Sequence, residues 1–87
     1  MTGLMPTVAI VDGVRLMMYW NDHAPPHFHA LFAEHRAVIE IDTLTVMEGY
    51  LPKPKLQAVV KWAGSRQNAL HGVWRNTQAR LPSRIIR

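Results

Sequence analysis

Cysteine is absent from this chain, and with it go disulfides and thiolate metal sites. A reducing, cytoplasmic setting is therefore expected. Long apolar runs are also missing, so no membrane partner is expected. The opening MTGLMPTVAI lacks the charged start and long apolar centre of a secretory leader, and residues 1–4 read as an unpatterned extension. Acids stop at Glu48. Residues 1–48 hold all six of them with Arg15 and Arg36, a net charge of −4, whereas residues 49–87 hold eight cations and no acid, a net charge of +8. Such polarity suits nucleic acid or an acidic partner protein, through Lys53, Lys55, Lys61, Arg66 and Arg75. It equally suits a solvated helical surface that attracts the acidic half of its own fold.

What is present amounts to one core. The 87 residues are 48% hydrophobic, enough for one domain, too few for two, and too apolar for disorder. A single α+β domain is expected over residues 5–81, with a frayed basic tail over 82–87. Thr7–Val11 and Val14–Trp20 flank Asp12-Gly13, a dipeptide suited to the two positive-φ positions of a type I′ turn, and read as a hairpin. Asn21–Pro26 is a loop, because two consecutive prolines cannot donate to a ladder. His27–Ala33 and His35–Asp42 form a second hairpin about Ala33-Glu34. This register pairs Phe28 with Ile39, Ala30 with Ala37 and Phe32 with His35, so the apolar faces coincide. It sets His27 opposite Glu40 and His29 opposite Val38. A short strand near Thr45–Glu48 follows.

From Pro52 the period becomes helical. Leu56, Val59, Val60 and Ala63 make one stripe, and Leu70, Val73, Trp74 and Thr77 make another. Gly64-Ser65 divides them, with Gly at a helix end and Ser as the next cap. The expected architecture is an antiparallel sheet of four to five strands, in two hairpins, followed by two helices packed on one face.

Three histidines fall within NDHAPPHFH, residues 21–29. His27 and His29 lie two apart on a strand and leave the same face; with Phe28 inward, they point away from the core. Two chemistries follow. Paired imidazoles, one oriented by Glu40, can act as general acid and base, and cations of the helical half can stabilise phosphate charge. Alternatively, two imidazoles with His23 and a carboxylate from Glu40 or Asp22 make a donor set for zinc or non-haem iron. The plain structural alternative is that the imidazoles cap loop backbone groups. His71, near Trp74, reads as structural, and Trp62 and Trp74 read as packing the helices on the sheet.

The segment MPTVAIVDGVRLMMYWNDHAPPHFHA, followed by a hairpin, by MEG-LP-K and by KWA, resembles domain-of-unknown-function family 4160. The resemblance runs from Met5 to about Arg80 and is most specific in NDHAPPHFHA, where Asn21, Asp22, His23, Pro25, Pro26, His27 and His29 match. It implies a small bacterial or archaeal protein often encoded beside another small protein. Some relatives carry the label of DhiT-type toxins of type II toxin–antitoxin systems. The resemblance thus implies a toxin-like chain with a small antitoxin-like partner, and supplies no catalytic role for any residue. The chain departs from the pattern at Ala33 and Leu44, where relatives often have glycine, and in lacking helical acids.

The leading expectation is thus a toxin-like, RNA-directed protein. If it is an enzyme, it is a metal-independent ribonuclease with His23, His27, His29 and Glu40 as candidate catalytic residues and no cofactor. The alternatives are a non-enzymatic module binding an acidic protein or nucleic acid, and a metal-binding domain in which His23, His27 and His29 hold a divalent ion such as zinc.

Overall fold

The computed structural model describes residues 7–82 and 84–86. The extension expected over 1–4 lies outside the described residues. Five strands, β1 (Thr7–Val11), β2 (Val14–Met17), β3 (His27–Phe32), β4 (His35–Glu40) and β5 (Val46–Tyr50), precede two helices, α1 (Lys53–Gly64) and α2 (Gln67–Gln78). The strands form one antiparallel meander in chain order, with β3 at its centre. This is the expected α+β arrangement.

Turn chemistry sets the meander. Asp12 and Gly13 both take positive φ, 51° and 81°, and join β1 to β2, as the right-handed twist of a hairpin requires. Ala33, at φ 53°, opens the β3–β4 turn. The β3–β4 register is the expected one at every pair, from His27 opposite Glu40 to Phe32 opposite His35. β2 ends at Met17, earlier than Trp20, and the chain then leaves the sheet to form the loop before β3. Between β4 and β5 the register shifts, with Val38 opposite Glu48 but Ile39 opposite Val46, so Met47 is the extra residue of a bulge.

Alternation divides the sheet into two faces. Val14, Leu16, Phe28, Ala30, Ala37 and Ile39 are buried on one, and they join Val59 and Ala63 of α1 with Leu70, Val73 and Trp74 of α2 in a single core. Of the stripes seen in the sequence, Leu56, Val59 and Ala63 of α1 and Leu70, Val73 and Trp74 of α2 join the core, whereas Val60 is half-buried and outside it. The helix junction differs in detail from expectation. Ser65 does not cap α2; its hydroxyl donates back to the Trp62 carbonyl of α1, and Arg66 occupies the position before α2 without a side-chain cap. Gln67 ties α2 to the end of β4 by donating to the Ile41 carbonyl at 2.8 Å. His71 adds a 2.6 Å contact to Asp42, the structural role expected of it. The stretch read as a frayed tail keeps one backbone tie, since the Ile86 N–H donates to the Val8 carbonyl at 2.7 Å.

Candidate metal centre

The second face of the sheet carries His27 and His29 on the central strand. His29 lies between Met17 of β2 and Val38 of β4 in the ladders, both of which are buried. The alternation expected from sequence therefore holds, but the exposure does not. His27 and His29 are only 8% and 6% exposed. The chain that leaves β2 returns over this face: the Tyr19 ring lies 4.2 Å from that of His29. At the other imidazole the Trp74 ring of α2 stands 5.0 Å away. Both histidines are thus walled by aromatic rings, a covering that strand alternation cannot reveal.

Asp22 closes the group. Its Oδ2 lies 3.2 Å from Nε2 of His27 and 3.1 Å from Nε2 of His29. Ligand atoms of the three side chains all fall within 4.8 Å of one another, and this is the one such cluster among the described residues. The loop that delivers Asp22 begins with Asn21 at φ 70°, a left-handed conformation that Asn tolerates better than most residues. The same loop contributes Pro25, whose carbonyl is 2.8 Å from Nδ1 of His27.

Proton positions follow from these contacts. A carbonyl can only accept, so Nδ1 of His27 carries the hydrogen. In the neutral ring, Nε2 then holds a lone pair, and that lone pair faces the Asp22 carboxylate. Two acceptors face each other at 3.2 Å unless a cation lies between them or a proton sits on Nε2. His29 differs. Its Nε2 can donate to Asp22, but its Nδ1 is buried without a hydrogen-bond partner. Burial lowers the His29 pKa below the ordinary histidine value, against the opposing pull of Asp22. The ring is therefore held toward the neutral form, which is the form that ligates metals.

The other expected residues lie elsewhere. His23, one residue past Asp22, is exposed and outside the cluster. Glu40 is opposite His27 in the ladder, yet its carboxylate accepts from the Thr43 hydroxyl at 3.2 Å, and Asp22 takes the place beside His27. Of the basic residues, Lys53, Lys61 and Arg75 are exposed. Lys55 is engaged with Asp12, at 2.8 Å to its carbonyl and 3.3 Å to its carboxylate. Arg66 donates to the Trp62 carbonyl at 2.8 Å and lies over its ring. Sequence reasoning gave Asp22 only as an alternative to Glu40, and missed Tyr19 and Trp74 as walls. The adjacency of Asp22 to the histidine string was the available signal.

No helix among the described residues is long and apolar enough to cross a membrane. A family model described as Domain of unknown function (DUF4160) matches residues 13–75, which include the whole Asp22–His29 segment. No curated protein and no solved structure matches the chain.

Proposed function

The chain belongs to the DUF4160 family, whose description carries no activity, so we propose a function from the geometry: this domain binds a divalent transition metal through Asp22, His27 and His29. The observation that carries the reading is the His27 ring. Its Nδ1–H is fixed on the Pro25 carbonyl, leaving Nε2 aimed at a carboxylate. A backbone carbonyl orienting one ring nitrogen so that the other is presented to a metal is the usual arrangement around metal-bound histidine. The spacing agrees. Bonds of about 2.0–2.2 Å from a metal to nitrogen and oxygen place neighbouring ligand atoms roughly 3.0–3.5 Å apart, and both Asp22–histidine contacts fall in that range.

Two imidazoles and one carboxylate, with no sulfur, suit zinc, iron(II) or manganese(II) more than copper(I) or calcium. Such an ion keeps at least one position for water or a ligand. Burial of both histidines favours this reading over acid–base cleavage of RNA, because imidazoles closed in by Tyr19 and Trp74 offer a macromolecular substrate little access. Imidazoles ligate metals only in their neutral form, so metal affinity should rise with pH.

Calorimetric titration of metal-stripped protein with zinc tests the proposal. One ion per chain is expected. Asp22→Asn and His27→Gln should each weaken binding about a hundredfold or more, while His23→Ala and Glu40→Gln leave it within about twofold. Equal affinity in Asp22→Asn and wild type would remove the site. The toxin-like role implied by the resemblance is a wider proposal that the same variants address. Growth arrest on expression that is lost in Asp22→Asn supports it, whereas arrest unchanged by that variant separates toxicity from this site.

A further inference from the structure

The sheet has two edge strands, and they are treated differently. β1 is tied to the tail, since the Val8 carbonyl accepts the Ile86 N–H at 2.7 Å. β5 pairs with β4 alone, and among the described residues no backbone bond outside that ladder reaches Val46–Tyr50. An edge of this kind presents a row of unpaired N–H and C=O groups, which is a template for a further strand.

The side chains of β5 suit that use. All five are exposed, and Val46, Met47 and Tyr50 are large and apolar, with Tyr50 61% exposed. Glu48 and Tyr50 stand opposite Val38 and Arg36 in the ladder, so all four lie on the second face of the sheet. An open cavity of about 260 Å³ is lined there by Arg36, Val38, Glu48 and Gly49. Among the described residues, neither Arg36 nor Glu48 makes an ion pair. Glu48 is therefore an unneutralised anion on the outermost strand. A side chain directly opposite it on an added strand would stand about 4.5–5.5 Å away, measured between Cβ atoms.

Charge decides what that strand is. The bulge at Met47 and the charge of Glu48 are devices that guard an edge against indiscriminate pairing. They select as well as guard, because a cation opposite Glu48 is favoured and an acid is penalised. A second copy of this chain does not supply the cation. Its edge strands are TVAIV and VMEGY, with no lysine or arginine in either, and β5 against its own copy only adds a second Glu48.

We propose that β5 is the docking edge for an extended segment of a different protein, which adds as a sixth strand with a lysine or arginine opposite Glu48 and an apolar side chain opposite Tyr50. Main-chain bonds along the edge supply affinity, and the alternate side chains supply selectivity. The interface does not involve Asp22, His27 or His29, so it stands apart from the metal reading.

The test uses the full chain and two short capped peptides that alternate valine and threonine around a central lysine or a central glutamate. NMR titration reads affinity, and amide hydrogen exchange reads location. At low salt the lysine peptide should bind about threefold or more tightly than the glutamate peptide and should slow exchange of the β5 amides. Glu48→Lys, a change at an exposed position, should reverse the preference, with an unchanged thermal midpoint as the check on folding. Asp12→Asn, in the β1–β2 turn at the far edge, is the control for net charge and should leave the preference as it is. Protection of β5 by neither peptide, or a preference that survives Glu48→Lys, overturns the proposal. Sedimentation of the chain alone should show a monomer. A dimer with protected β5 amides would assign the edge to a second copy and overturn the proposal as well.

Discussion

Asp22 makes the site, because one carboxylate oxygen serves two imidazoles. Removing it would leave His27 Nε2 without its partner at the mouth of a buried group. The His29 ring sets the pH response. Its folded-state pKa lies below the value it takes in the unfolded chain, since burial disfavours the charged form. In the window between those two values the unfolded chain binds more protons than the folded one, so stability rises with pH there. Urea melts of metal-free protein should show the His29 contribution intact above about pH 6.5, the ordinary histidine value, and declining as pH falls through the lowered one. His29→Gln should flatten that decline. Ala33 carries a different cost. It is exposed and held at φ 53°, where a Cβ is unfavourable. Ala33→Gly should therefore raise stability by about 1 kcal/mol in the same melts, and a loss would mean that the turn owes its shape to something other than φ. Ala33 and Leu44, where the resemblance implies that relatives often have glycine, both take positive φ, 53° and 56°. Non-glycine residues thus stand at two left-handed backbone positions, where a Cβ is costly.

Among the elements, β3 and β4 were the most legible. Period-2 alternation in HFHALF and HRAVIE fixes which residues share a face, and a two-residue turn leaves one register that joins the apolar faces. The burial of His27 and His29 was not legible, because it depends on Tyr19 and Trp74 arriving from elsewhere in the chain. β5 shows another limit. All five of its residues are exposed, so the apolar pattern gives it little support, and its bulge at Met47 had no signal. Gly49 explains how it pairs. A Cβ there would stand 2.1 Å from the Arg36 carbonyl oxygen, and φ is 79°. Gly49→Ala should cost about 2 kcal/mol or more, through strain and displacement of the β4–β5 ladder, read as a lower midpoint in urea with slope unchanged. A neutral outcome would mean that β5 contributes nothing to the cooperative fold.

At the scale of the molecule, the meander and the helix pair divide the work. One face of the sheet builds the core with both helices; the other supports the histidines, and α2 touches both through Trp74. Metal binding should therefore register in the stability of the whole domain. An ion that binds the folded chain alone stabilises it by mass action, about 2.7 kcal/mol at a hundredfold excess over Kd. Zinc should accordingly raise Tm in wild type and not in Asp22→Asn. The charge polarity seen in the sequence plays a mixed part, since Lys55 and Arg66 are engaged within the fold while Lys53, Lys61 and Arg75 face solvent. The central claim concerns one nitrogen, and imidazole nitrogen NMR reads it directly. In metal-free protein above the histidine range, His27 should appear with hydrogen on Nδ1 and a bare Nε2. One equivalent of zinc should shift the Nε2 resonances of both His27 and His29 and leave that of His23 in place. A His27 Nε2 signal untouched by zinc, or one that moves no more than that of His23, would contradict the account.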